Sequence, residues 1–212
     1  MTRHAPWILI AAVAGLSASG MALSAEEAPA SPVLGFWESV ETSRGGIGSA
    51  LELRADGALR WSVVVLVESE YRLDDGRLVL LGESGGEQEM PVTLADGEME
   101  MTGPGGGEVH KTRFRDPTDG ASPIVGDWSY GFGDGLAFER YTEDGRMLFR
   151  LPMRTDAGTY RVEGDRLEVE AQGKTDTWTW RLDGDELVVV TGGQERRYRR
   201  VPSGAWYLPP PD

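Results

Sequence analysis

The chain has 212 residues, no cysteine and a formal net charge of −14 at pH 7. The missing cysteines exclude disulfides, thiol catalysis and cysteine-ligated metal centres. The negative charge disfavours nucleic acids and anionic membrane surfaces as partners. The 29 glycines and 12 prolines indicate many turns and short strands rather than long helices.

Residues 1–25 have the pattern of a secretory signal peptide. Arg3 and His4 give a short basic start, and residues 7–16 form an apolar run. This run is shorter than the roughly 20 residues of a membrane-spanning helix. We therefore expect cleavage before Ala25 or before Glu26, a periplasmic or secreted location, and no membrane span in the mature chain. A retained N-terminal anchor is the alternative.

Two proline-containing linkers, at residues 26–32 and 116–123, divide the rest of the chain. They delimit a first repeat at residues 33–115, a second repeat at residues 124–202 and a C-terminal tail at residues 203–212. The repeats share landmarks in the same order, separated by 88 to 91 residues, which indicates an internal duplication. The landmark pairs are Trp37 with Trp128, Asp56 with Asp144, Tyr71 with Tyr160, Leu94 with Leu182, and His110 with Tyr198.

Within each repeat, apolar side chains alternate with polar ones, as at Trp178, Trp180 and Leu182. Asp-Gly and Gly-Asp pairs between these runs favour tight hairpin turns. A meander with one apolar face closes on itself to bury that face and to remove its edges. We therefore predict an all-β fold of two tandem small antiparallel up-and-down barrels, each with about eight short strands. One larger sheet structure is the alternative.

Residues 61–67 depart from this alternation, because their side chains are apolar on both faces of the expected strand. A strand of this kind has no face suited to water. We expect the other repeat or the C-terminal tail to cover its second face.

The second repeat carries a series of motifs. Gly126-Asp127-Trp128 opens it, residues 158–167 follow the pattern Gly-x-Tyr-x-Val-x-Gly-Asp-x-Leu, and Tyr198-Arg199-Arg200 lies on its last strand. This series resembles the small bacterial lipocalin-like, or calycin-type, domains. The first repeat departs from the pattern, with His110 where the second repeat has its final tyrosine.

The resemblance implies that each Gly-x-Trp tryptophan closes one end of a barrel beneath an arginine of the last strand. It places Trp128 against Arg199 or Arg200, and Trp37 against the arginine at position 113 or 115. Such a cation–π contact contributes about 0.5–2 kcal/mol. The residues assigned to barrel closure are Gly35, Trp37, Gly126, Trp128 and Arg199.

The residues offer little for catalysis or for metal binding. His110 is the only histidine after the predicted signal peptide, so a multi-histidine metal site is excluded, and no Gly-x-Ser-x-Gly motif accompanies it. The acidic pairs lie where hairpin turns are needed and lack the spacing of a calcium loop. We expect no enzymatic activity, no cofactor and no metal.

The remaining functional prediction is that the protein binds a ligand. Residues 196–200 form a basic cluster in an acidic chain, and aromatic side chains on the inward faces of the second repeat could form a wall beside it. Such a wall ending in one cation suits an amphiphilic acid. The predicted ligand-binding residues are Phe138, Phe149, Trp178, Trp180, Tyr198 and Arg200. The alternative is a protein-interaction module with filled barrels, such as a protease inhibitor or an envelope accessory factor.

Overall fold

The computed structural model describes residues 31–82, 86–103, 106–115 and 121–208. The predicted signal peptide lies outside these ranges, as do parts of both linkers, of the glycine-rich loop at residues 103–107 and of the tail. In the described part of the chain the regular structure consists of 14 β-strands. No helix there has the length and apolar character needed to cross a membrane.

The strands are numbered in chain order. They are β1 (Gly35–Ser39), β2 (Ile47–Leu53), β3 (Ala58–Asp74), β4 (Arg77–Leu81), β5 (Glu87–Ala95), β6 (Glu98–Thr102), β7 (Glu108–Arg115), β8 (Gly126–Phe132), β9 (Gly135–Tyr141), β10 (Arg146–Glu163), β11 (Arg166–Ala171), β12 (Lys174–Asp183), β13 (Glu186–Thr191) and β14 (Gln194–Arg200).

The strands form one antiparallel sheet that closes in a ring. Each strand pairs with its neighbour in sequence, and β14 pairs with β1 so that Arg200 lies opposite Trp37. The two longest strands, β3 and β10, have 17 and 18 residues and also pair with each other. This pairing divides the ring into two circuits of eight strands each. Circuit A is defined as β1, β2, β3 and β10–β14, and circuit B as β3–β10.

The prediction of an all-β antiparallel fold is confirmed, whereas two separate tandem barrels are not what the pairing shows. Each repeat supplies seven strands in the described ranges, not about eight, because β3 and β10 are each one long strand. Circuit A takes β1–β3 from the first repeat and β10–β14 from the second. The circuits therefore share two strands, and each contains strands from both repeats.

Three apolar clusters follow from this arrangement. Inside circuit A the buried cluster includes Trp37, Leu53 and Leu187. Inside circuit B it includes Trp128 and Met99. The third cluster lies outside both circuits, where the tail covers strands β1, β2 and β3, and its buried members are Phe36, Ala50, Val64, Leu66, Trp206, Tyr207 and Leu208.

The expected cover over residues 61–67 is confirmed. One side of β3 packs into circuit A through Trp61. The opposite side carries Val64 and Leu66, which are buried with Tyr207 of the tail. The long edge of the same strand pairs with β10 of the other repeat. The tail therefore provides the expected cover of the second face, whereas the pairing with β10 lies along the edge of the strand.

Two tyrosines join each repeat to a turn of the other. The backbone N–H of Tyr71 donates to the carbonyl of Gly145 at 2.7 Å, and that of Tyr160 donates to Gly57 at 2.8 Å. Each phenol also donates to the carbonyl oxygen three residues before that glycine, at 2.9 and 2.8 Å. The two glycines have φ values of 80° and 82°, a conformation that glycine adopts at low cost. The shared Asp-Gly and tyrosine landmarks are therefore reciprocal contacts between the repeats.

The Gly-x-Trp tryptophans close the circuits, but with exchanged partners. The guanidinium of Arg200 lies 4.1 Å from the ring centre of Trp37, and that of Arg113 lies 4.4 Å from Trp128. The expectation that Trp128 meets the arginine at position 199 or 200 is wrong, as is its counterpart for Trp37. The physical reason is the pairing of β14 with β1 and of β7 with β8.

Each Gly-x-Trp motif requires its glycine for a steric reason. Gly35 and Gly126 have φ values of 130° and 133°, which side chains rarely adopt. A Cβ atom on Gly35 would lie 2.5 Å from Nη1 of Arg200, and one on Gly126 would lie 3.1 Å from Nη1 of Arg113. The glycines therefore make room for the arginines that cover the tryptophans.

Candidate binding sites

The aromatic residues predicted to bind a ligand do not form one wall. Trp178, Trp180 and Tyr198 pack together in the circuit A cluster. Phe149 packs against the circuit B cluster, and Phe138 packs outside with the tail cluster. Alternation along a strand predicts which face a side chain occupies, but it does not predict which circuit that strand joins.

The predicted cation of the site, Arg200, is already engaged. It covers Trp37 and donates to the carbonyl oxygens of Leu34 and Pro32, the latter at 2.7 Å. Arg199, which was expected to close the barrel, contacts Glu68 instead. The closing role therefore belongs to Arg200, because its side chain shares the inward face with Tyr198.

The mouth of circuit A holds a cavity of about 380 Å³. It opens at the end of the circuit away from Trp37 and its covering arginine. The inward positions beyond the core alternate with outward ones along β1, β2, β3 and β14, so their side chains meet at this mouth. The inward residues that line it are Ser39, Ile47, Ser49, Trp61, Val63 and Arg196.

The mouth of circuit A combines one cation with hydroxyl groups and an indole. The Ser49 N–H donates to Oγ of Ser39 at 2.9 Å, and the Ser49 hydroxyl donates to the Tyr198 hydroxyl at 3.2 Å. The guanidinium of Arg196 makes no hydrogen bond or ion pair with any residue in the described ranges. Its guanidinium is thus available to an anion that enters the mouth.

Other charges surround this guanidinium. Arg197 also lines the cavity, but it donates to Asp183 and Glu186 at 2.7 Å each. Glu195 accepts from Arg181 at 3.0 Å. Glu41 is a further acidic residue of the lining, and the chain just before it runs beside β14, where the Val40 N–H donates to the carbonyl of Arg197 at 2.9 Å. An anionic ligand is therefore attracted by Arg196 and repelled by Glu41.

A larger cavity of about 860 Å³ is a groove on the outside of the sheet, between circuit B and the tail. Phe114 and Phe138 meet there edge to face, with ring centres 5.7 Å apart. Leu136 and Phe114 are 54% and 41% exposed, so apolar surface is open to solvent. The residues that line this outer groove are Glu52, Arg60, Phe114, Arg115, Ser129, Leu136, Phe138, Pro152, Thr155, Ala205, Trp206 and Leu208.

Circuit B contains a buried polar cluster that the sequence analysis missed. Lys111 donates to Oε2 of Glu139 at 2.5 Å, and Tyr141 donates to the same oxygen at 2.5 Å. Tyr130 donates to the other carboxylate oxygen at 3.1 Å. Burial lowers the pKa of Lys111, and Glu139 only partly offsets this effect. Burial and the carboxylate together raise the pKa values of Tyr130 and Tyr141.

The position of Lys111 also corrects one landmark of the repeat. Lys111 lies two residues before Arg113, as Tyr198 lies two residues before Arg200, and both arginines cover a Gly-x-Trp tryptophan. Lys111 is therefore the counterpart of Tyr198. His110 instead faces outwards, with a side chain 62% exposed. The signal available in the sequence was the inward alternation that passes through position 111.

The four groups of this cluster satisfy one another, so it offers no free group to a ligand. In the described ranges no group of three or more potential metal ligands is found. Comparison of the chain with protein-family models, with curated proteins and with solved structures finds no match.

Proposed function

We propose that the protein is a non-enzymatic, periplasmic or secreted binding protein that holds a small amphiphilic anion in the mouth of circuit A. The observation that carries this proposal is Arg196, an inward-facing guanidinium with no partner in the described ranges, at the edge of a cavity. A volume of about 380 Å³ falls within the range of small-molecule pockets, and barrel mouths are common locations for them. In this proposal the two circuits act as two lipocalin-like barrels.

The shape of the mouth limits the ligand to a compact one. Below the mouth the interior of circuit A is filled by buried side chains such as Leu51, Leu187 and Tyr198. A carboxylate can reach Arg196 while an attached ring lies against Trp61. A hydrogen bond between charged groups contributes about 1.5–3 kcal/mol, and the hydroxyls of Ser39 and Ser49 lie beside the same space. An aromatic or short-chain carboxylic acid fits these features.

Titration calorimetry with 2-naphthoate tests the proposal on the mature chain. The Arg196→Gln variant should bind at least about tenfold more weakly, because it loses a charge-assisted hydrogen bond. Glu41→Gln should bind more tightly, since it removes the opposing charge. Arg166→Gln is the matched control, because Arg166 is exposed, lies on circuit A and also has a guanidinium without a polar partner in the described ranges.

Two results would contradict the proposal. One is binding of 2-naphthoate that Arg196→Gln leaves unchanged. The other is no saturable binding of any compact amphiphilic acid in a panel. The second result would favour the interaction-module alternative.

A further inference from the structure

The outer groove has a wall that the sheet alone does not provide. Strands β7 and β9 supply Phe114, Leu136 and Phe138, and the tail supplies Trp206 and Leu208 from the opposite side. The tail is held in place because Trp206 is buried beneath the guanidinium of Arg140, 4.3 Å from its ring centre. The groove is therefore built between two elements that are distant in sequence.

One end of the groove carries excess positive charge in an otherwise acidic protein. Asp127 is buried and accepts two hydrogen bonds from Arg140, at 2.6 and 2.8 Å. Arg115 approaches the same carboxylate only to 3.5 Å, and its side chain is 54% exposed. Two guanidinium groups thus share one carboxylate, which leaves one net positive charge beside the apolar wall.

The other charges of the groove neutralise each other. Glu52 accepts from Arg60 at 2.5 Å, and both side chains are mostly buried. Ser129 and Thr155 contribute only hydroxyl groups. Arg115 is therefore the guanidinium of the groove with the weakest contact to its carboxylate.

The size and charge of the groove indicate what kind of occupant it suits. Each strand in the described part of the chain has a paired neighbour on both sides, but β9 and β10 pair only between residues 138–141 and 147–150, so residues 151–157 of β10 have no partner on that side. A volume of about 860 Å³ suits a small molecule. Charge complementarity then requires an anionic group at one end and an apolar body along Phe114 and Trp206.

We propose that the outer groove binds a medium-chain alkyl carboxylate, with its carboxylate at Arg115 and its chain between circuit B and the tail. The site shares no residue with the mouth of circuit A. The proposal therefore does not depend on the function proposed above, and the two can fail separately.

Calorimetry of the mature chain with dodecanoate, below its micelle concentration, tests this site. We expect saturable binding that Arg115→Gln weakens about tenfold and that Leu136→Glu abolishes. Leu136 is more than half exposed, so its replacement should leave the fold intact, and circular dichroism verifies this. Arg77→Gln is the matched control, since Arg77 is exposed, pairs with one glutamate and lies outside the groove.

A neutral ligand separates the contribution of the carboxylate from that of the alkyl chain. Dodecanol should bind to the wild type and to Arg115→Gln with the same affinity. Arg196→Gln should leave dodecanoate binding unchanged, and Arg115→Gln should leave 2-naphthoate binding unchanged. The proposal is overturned if dodecanoate does not bind saturably, or if Arg115→Gln binds it as tightly as the wild type.

Discussion

Separating the two repeats should unfold them, because each circuit is completed by strands of the other repeat. In a fragment of residues 121–212, strand β10 loses 13 paired positions with β3, and β14 loses its partner β1. Trp128 also loses the guanidinium that covers it. The fragment retains β8–β14 but none of the strands that close them into a circuit.

The stability that the fragment loses can be worked out from the core of circuit A. The aliphatic side chains that the fragment leaves without their cover are Leu167, Val169, Leu187 and Val189. Each buried side chain of this kind contributes about 1.5–3 kcal/mol, so the four amount to roughly 6–12 kcal/mol. Whole domains are stable by only about 5–15 kcal/mol. The fragment therefore should not fold as a monomer.

Circular dichroism and analytical ultracentrifugation measure the outcome. We expect the fragment to be unfolded or to form a homodimer in which β10 of one copy pairs with β10 of the other. Mixing it with residues 31–115 should restore one folded 1:1 complex, and cleavage within residues 116–120 should leave a folded protein. A monomeric fragment that unfolds cooperatively would refute the reasoning.

Three further predictions concern single sites. Trp128→Ala should destabilise the protein by about 3–5 kcal/mol in urea unfolding, and a loss below about 1 kcal/mol would contradict its closing role. Lys111→Met should lower the free energy of unfolding by about 3–5 kcal/mol, because it leaves Glu139 buried without its cation. Adding Glu139→Leu should restore much of this loss, since leucine is the residue at the equivalent position 51. A double variant no more stable than the single one would argue against a stabilising Lys111–Glu139 pair. Burial raises the pKa of Glu68, but Arg199 and Arg150 lower it by more, so the pKa in the folded protein lies below the ordinary value of 4.5. The Glu68 carboxylate should therefore stabilise the fold above about pH 4.5, and this stabilisation should disappear as the pH falls below that value. The stability difference between wild type and Glu68→Gln should therefore shrink on acidification, and a difference independent of pH would contradict this; Glu70→Gln is the control.

Much of the fold could be predicted from the sequence, because alternation and turn residues are local. They indicate antiparallel strands, and the constant spacing of the landmarks indicates a duplication. Closure at Gly-x-Trp was implied only by the resemblance to lipocalin-like domains. The exchange of strands is different, since both tryptophans accept the same kind of arginine, and Arg113 and Arg200 are chemically equivalent partners. Only the two-sided apolar character of residues 61–67 signalled that β3 would contact the other repeat.

The candidate site shows a second limit of sequence reasoning. Alternation correctly places Arg196, Tyr198 and Arg200 on one face, but it does not indicate depth along the circuit. That depth is set by the register of β14 against β1, with Arg200 opposite Trp37. The register puts Arg200 at the closed end and Arg196 at the mouth. Four residues along the same strand therefore separate Arg200, which has a structural role, from Arg196, which is a candidate ligand-binding residue.

The most direct test of the cross-repeat pairing uses the absence of native cysteine. Ser62 of β3 and Thr155 of β10 are paired, and their hydroxyl oxygens lie 2.9 Å apart. Such side chains are close enough for a disulfide. The Ser62→Cys/Thr155→Cys variant should, after mild oxidation, form a disulfide within a single monomeric chain, seen by intact mass and non-reducing electrophoresis. Two free thiols in the folded, oxidised protein, or disulfides only between chains, would contradict the exchange of strands within one molecule.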